Sequence, residues 1–179
     1  MTLDPEALRA ARQQALGMLR RAGVTVTDKE FQALDVADFA LGDWEQTGLI
    51  ELVYVNTKRC CAKELVLFGG QTCPEHRHPP VGGQEGKEET FRCRWGSVWL
   101  YVDGPPAAKP ACRPPRGSER YYTVSHQIAL RPGDQYTMQP DSLHWFQAGP
   151  QGAVVSEFST ASLDETDVFT DPRISWAPQ

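Results

Sequence analysis

The chain has 179 residues, 40% of them hydrophobic and 23% charged, which is enough apolar material for one core of ordinary domain size. A formal net charge of −5 offers no basic surface to nucleic acid or anionic lipid, so neither is expected as a partner. No run approaches the roughly 18 apolar residues of a membrane-spanning helix, and the N-terminus lacks the hydrophobic centre of a signal peptide; a cytoplasmic location is expected.

In chain order, Asp4 is a candidate N-cap with Pro5 at the first helical position. Leu8, Ala11, Ala15, Met18, Leu19 and Ala22 then recur at spacings of three and four, drawing one apolar helix face that ends at Gly23. A weaker helical stretch is predicted from Asp28 to Val36. Residues 1–48 therefore read as a helical extension that packs on the main domain, 49–179.

From Leu49 the pattern changes to short runs rich in Val, Leu, Tyr, Phe and Trp. Strands are predicted at 49–55, 60–68, 74–78, 88–95, 97–102, 120–125, 127–131, 135–139, 143–148 and 153–159. Turn signals stand between them at Gly69-Gly70, Gly96, Asp103-Gly104, Pro132-Gly133-Asp134 and Gly149-Pro150. Two longer loops, 79–86 and the Pro-rich 103–118, read as surface excursions, and the tail 162–176 as a short helix covering one end. So many short strands predict an antiparallel sandwich or barrel. The five cysteines, Cys60, Cys61, Cys73, Cys93 and Cys112, are odd in number with no C-x-x-C pair, so reduced structural thiols are expected.

Three of the four histidines stand out. His76 and His78 are two apart, so on a strand their imidazoles point the same way. A carboxylate and a third imidazole, His144, from neighbouring strands would complete an N/N/N/O set for a divalent first-row metal, with room left for substrate. The string CPEHRH followed by EETFRCRWG resembles the first cupin motif, in which a glycine follows the glutamate by seven residues. Glu89 and Gly96 have that spacing, and Glu88 misses it by one. The second cupin motif places a histidine eleven residues after a glycine, as Gly133 and His144 stand here. Departures are visible, among them Pro140, which stands one place late. Ten residues separate His78 from Glu89 where three or four are usual, and Asp141 stands where glycine is usual.

The strings CPEHRHPPV, GKEETFRCRWG, VVSEFST and FTDPRI resemble the D-lyxose isomerase family of cupin-type ketol-isomerases, a likeness that runs from about Leu49 to the C-terminus. The resemblance implies a mainly β fold, a cupin-type double-stranded β-helix or jelly-roll barrel, here with an N-terminal helical extension. It implies interconversion of D-lyxose with D-xylulose, and often of D-mannose with D-fructose, through an enediol. It also implies Mn²⁺ held by His76, His78, Glu89 and His144, although the ligand set admits Fe²⁺, Co²⁺, Ni²⁺ or Zn²⁺. A homodimer that takes a monosaccharide is expected. The same ligands would also suit an iron-dependent dioxygenase or a non-enzymatic sugar-binding cupin.

An enediol reaction needs a base beside the C1–C2 edge. Glu157, a lone carboxylate in the apolar run AVVSEFS, is the candidate, though strand alternation allows it to face either way. Lys87, two residues before Glu89, is the cationic catalytic candidate. Substrate contact is expected of Lys63, where one of Lys63 and Glu64 must face inward, and of Trp145 and Phe91 beside the ligands. Asp171 and Arg173 in the tail are candidates to close over the sugar. Nothing marks His126 as a ligand.

Overall fold

The structure, a computed structural model, describes residues 3–83 and 85–175; the end of the expected tail, Trp176, lies outside them. Helix α1 (Pro5–Arg21) starts where predicted, with the Asp4 carboxylate accepting from the Ala7 N–H at 2.8 Å. Its face of Ala11, Ala15, Met18 and Leu19 is buried against Ile50, Leu52, Val66 and Val154. The second helix, α2 (Asp28–Gln32), is shorter than predicted, though it opens with a full capping box between Thr27 and Glu30. Its predicted end is strand instead: β1 (Asp35–Ala37) pairs with residues 49–51, and the β-branched Val36, fully buried opposite Ile50, suits that pairing. Part of the predicted extension thus joins the sheet.

The remaining strands are β2 (Leu49–Asn56), β3 (Cys61–Leu67), β4 (Thr72–Arg77), β5 (Glu89–Val102), β6 (His126–Leu130), β7 (Gln135–Met138), β8 (His144–Ser159) and β9 (Val168–Phe169). All pair antiparallel. The long strands β5 and β8 pair along nearly their whole length and bend together, which curls the sheet into two facing halves. One half holds β9, β4, the start of β8, the end of β5, and β6. The other holds β1, β2, β3, the end of β8, the start of β5, and β7.

Gly96 and Gly149-Pro150, expected as turns between strands, are bends inside single strands. The register slips around Gly96, which has a φ of 75°, and a Cβ there would collide with the Gly152 carbonyl oxygen. Only glycine lets the two backbones cross so closely while changing direction. The strand predicted at 120–125 is absent. The Thr123 and Val124 N–H groups donate to the buried Glu75 carboxylate at 2.6 and 3.0 Å, so a side chain satisfies them where a neighbouring strand would have done so.

The core lies between the halves and includes Leu65, Leu67, Phe91, Val98, Leu100, Phe146 and Val155. Because the second half is covered by the core inside and α1 outside, β3 is buried along almost its whole length. None of the five cysteines is in a disulfide.

Candidate active site

The two halves of the curled sheet face each other across a small cavity lined by charged side chains on one part and apolar ones on the other. His76 and His144 sit opposite each other on β4 and β8, and His78 follows β4 directly. The other half supplies Glu89 at the start of β5 and the directly paired Lys63 and Glu157 on β3 and β8. Period-two alternation points these side chains inward, so strand register fixes the constellation.

The ring nitrogens of the three histidines converge, each histidine offering one within 4.8 Å of the others. Their tautomers follow from their partners. His76 Nδ1 lies 2.7 Å from the Pro74 carbonyl oxygen, and His144 Nδ1 lies 3.0 Å from that of Ser142. A carbonyl only accepts, so each Nδ1 carries the proton and each Nε2 keeps its lone pair. His78 Nδ1 lies 2.5 Å from the Asp167 carboxylate and donates to it, so Nε2 is the nitrogen left to give up its proton to a metal. Glu89 Oε1 stands 3.3 Å from His78 Nε2 and 3.0 Å from His144 Nε2, yet none of these three buried atoms has a hydrogen bond among the described residues.

Buried polar atoms that crowd together without hydrogen bonding are costly as they stand. Imidazoles with Nδ1 tied to an acceptor and Nε2 free are oriented as metal-binding imidazoles are. The charge balance agrees. Five carboxylates line the cavity (Glu51, Glu89, Glu157, Asp164 and Asp167) against the ammoniums of Lys63 and Lys87. A divalent cation among the three histidines and Glu89 would satisfy the orphaned atoms and offset most of that excess.

The surrounding charges form a buried alternating row. Lys87 Nζ donates to Glu157 Oε1 at 2.6 Å and to Glu89 Oε2 at 2.9 Å. Lys63 Nζ lies 2.9 Å from Glu51 Oε1, 3.6 Å from Asp164 Oδ1 and 3.9 Å from Glu157 Oε2. Burial opposes charge on both lysines, but the carboxylates outweigh it and hold both ammoniums above their ordinary range. Burial also opposes ionisation of Glu89, yet Lys87 and the two histidines keep it well below the usual carboxylate range. Burial, followed by repulsion from its two neighbours, holds His76 well below the ordinary imidazole range. Burial pushes His78 the same way, but Glu89 and Asp167 outweigh it and raise this imidazole to about 9.

Two of the departures in the motif spacing have a local explanation. The 79–86 loop leaves after His78 and returns at Gly86, where a Cβ would collide with the His78 carbonyl oxygen. That close approach brings the chain back in time for Lys87 and Glu89 to reach the cavity. Asp141, standing where glycine is usual, has a φ of 60°, and its carboxylate accepts from Arg77 at 2.6 Å. The left-handed conformation therefore survives the substitution, as aspartate tolerates it better than most residues.

Of the other candidates, Phe91 and Lys63 line the cavity. Lys63 faces in, while Glu64, on the opposite face, is also buried and accepts from Ser156 and Tyr54. Trp145 does not reach the cavity. Being next to His144 it points out of the barrel, stacks on Tyr101 at 4.0 Å and donates to the Val124 carbonyl. Asp171 and Arg173 are not among the cavity-lining residues either; they pair with each other, and Arg173 reaches Ser118 and the Tyr121 ring. His126 bonds to the Pro105 carbonyl, outside the histidine cluster. Sequence reasoning misses Glu51, Asp164 and Asp167. Glu51 interrupts the apolar run LIELVYV as Glu157 interrupts AVVSEFS, so the same signal could have found it.

No protein-family model matches the chain. It is 64% identical over 161 residues to the D-lyxose/D-mannose isomerase of Thermosediminibacter oceani, covering 90% of this chain and 89% of that one. It is 55% identical to the D-lyxose ketol-isomerase of a Thermofilum species, covering 99% and 98% of the two chains. The D-lyxose ketol-isomerase of Cohnella laeviribosi is 57% identical, covering 95% and 93%. Among solved structures, the L-ribose isomerase of Acinetobacter sp. DL28 in complex with L-ribose has a TM-score of 0.79 at 17% identity, covering 97% and 94%. The unliganded L-ribose isomerase of Cellulomonas parahominis has a TM-score of 0.76 at 18% identity, covering 96% and 94%. This likeness establishes the fold: the curled antiparallel sheet with its N-terminal helix is a cupin-type barrel.

Proposed function

This chain belongs to the D-lyxose ketol-isomerase family, and we propose that it interconverts D-lyxose with D-xylulose, and D-mannose with D-fructose, using a manganese ion held by His76, His78, His144 and Glu89. It is a sugar ketol-isomerase, so the dioxygenase and binding-module readings fall away. The observation that carries the proposal is the convergence of unbonded His78 Nε2, His144 Nε2 and Glu89 Oε1 beside the Lys87–Glu157 pair. An ion bound there supplies a Lewis acid for the two adjacent sugar oxygens.

The chain's own groups supply the proton chemistry. Glu157 takes the proton from C2 of the aldose, leaving the enediolate, and returns it to C1, while the O2 hydroxyl proton passes to O1 to complete the ketose. A single carboxylate serves both steps because the two carbons are neighbours. Its Oε1 is held by Lys87 and Ser159, while its Oε2 has Lys63 no nearer than 3.9 Å, outside hydrogen-bond reach, and is the oxygen available to accept a proton. Lys87 links this base to Glu89 and places its ammonium where negative charge develops on the sugar oxygens. Phe91 and Phe146 wall off the inner side and exclude water. The test is an oxygen-free assay with D-lyxose and D-mannose after chelation and reloading with Mn²⁺. The expected result is ketose from both sugars in the reloaded enzyme alone; no ketose from either sugar would refute the reading.

A further inference from the structure

The space around the candidate metal centre is divided. The inner cavity, bounded by His76, His78, Glu89, Glu157, Lys63 and Phe91, measures about 30 Å³. That is roughly the share of one water molecule, far less than a pentose fills. Immediately outside lies a cleft of about 440 Å³, wide enough for a sugar. His78, Lys87 and Asp167 line both spaces, so the two share a wall. The tail separates them: Leu163 and Thr166 face the outer cleft, and Asp164 faces the inner cavity.

That stretch of tail is anchored at its ends. On one side, Asn56 makes a pair of hydrogen bonds with the Ser162 backbone at 3.0 and 3.2 Å. On the other, β9 pairs with β4, and Thr170 bonds to Glu75 through both its backbone and its hydroxyl. Between the anchors, a short 3₁₀ turn at Asp164–Thr166 is linked to the barrel through two carboxylates. Asp167 holds His78, and Asp164 Oδ1 lies 3.6 Å from Lys63 while accepting from the Ser162 hydroxyl of the same tail at 2.5 Å. The Asp164 contact is the looser, and it is partly open to solvent, with 27% of the side chain exposed. Lys63 keeps Glu51 and Glu157 if Asp164 leaves, so its charge stays compensated.

We propose that Asp164 is a substrate-displaced residue: the sugar enters as the turn at 163–166 lifts, and a sugar hydroxyl takes the place of the Asp164 carboxylate at Lys63. The proposal rests on the reading that a monosaccharide occupies this cavity. Asp164 competes with substrate for one donor and takes no part in proton transfer. Asp167, bonded to His78, stays in place and preserves the histidine geometry. Loss of the Asp164 carboxylate therefore favours substrate entry.

The experiment compares the manganese-loaded wild type with Asp164→Ala. KM for D-lyxose is expected to fall about two- to fivefold, as loss of a partly exposed ion pair allows, with kcat within about twofold and manganese content unchanged. Amide hydrogen exchange at 163–166, measured without sugar, is expected to be faster than at 153–159 in the wild type and faster again in the variant. A KM that is unchanged or raised would overturn the proposal, because Asp164 would then be neutral or a direct contact to bound sugar. Equal exchange in the two proteins would overturn it as well. If the wild type turned over neither sugar, the functional reading would fail, and exchange alone would decide the gate.

Discussion

Two walls enclose the inner cavity, and they are held by different physics. The strand wall carries His76, His144, Glu89, Lys63 and Glu157 on a hydrogen-bonded register tied to the packed core. The tail wall carries Asp164 and Asp167 on a turn held at its ends. The backbone of the first wall cannot shift without moving a strand, which close-packed cores resist, and its side chains are buried in mutual contacts. Asp164 on the second can leave Lys63 at the cost of one partly exposed ion pair, its other partner, the Ser162 hydroxyl, lying in the tail itself. The contrast suits the chemistry, since ions and proton-transfer groups need fixed positions and substrate entry needs a part that yields.

Breaking the strand wall is expected to have the larger effect. His144→Ala removes an imidazole whose Nε2 has no hydrogen-bond partner among the described residues and whose neighbour is Glu89. Manganese measured after gel filtration is expected to fall to background, together with the rise in Tm that manganese gives the wild type. Retained stoichiometric metal would show that the histidine is not a ligand. Asp167→Asn sharpens the comparison, because this tail residue acts on a histidine of the centre. It keeps the size of the side chain and a carbonyl acceptor for His78 Nδ1 but removes the charge. Manganese affinity is expected to weaken about 10- to 100-fold, the usual range for losing the outer partner of a metal-binding histidine. Unchanged affinity would place Asp167 in the tail's packing alone.

Most of the strand wall is legible in the sequence because period two is a strong constraint. The His76-x-His78 pair, the Gly96 spacing that selects Glu89, and the lone Glu157 in an apolar run all depend on which way a strand side chain points. The same rule, applied one residue further, sends Trp145 outward to its stack on Tyr101. The expected Asp28–Val36 helix is too long because helical spacing extends past Gln32 into residues whose pairing partners, 49–51, are distant in sequence. The 120–125 segment misleads for a related reason: the N–H groups of Thr123 and Val124 are taken by Glu75, which no local pattern reveals. Asp164 and Asp167 lie in a tail with no period to read, so their roles depend on where the turn is anchored. The Gly86 approach to His78, which reconciles the long loop with the motif, is likewise visible only in three dimensions.

The central claim is that the strand wall holds an ion and a separate base, with Glu157 as the base. Glu157→Gln keeps the shape and leaves the four proposed ligands untouched, so manganese content and affinity are the control and the rate of D-lyxose isomerisation is the measurement. Wild-type manganese binding is expected, with kcat reduced by roughly 10²- to 10⁴-fold, the usual contribution of a general base. An E157Q variant that binds manganese and turns over D-lyxose at the wild-type rate would contradict it.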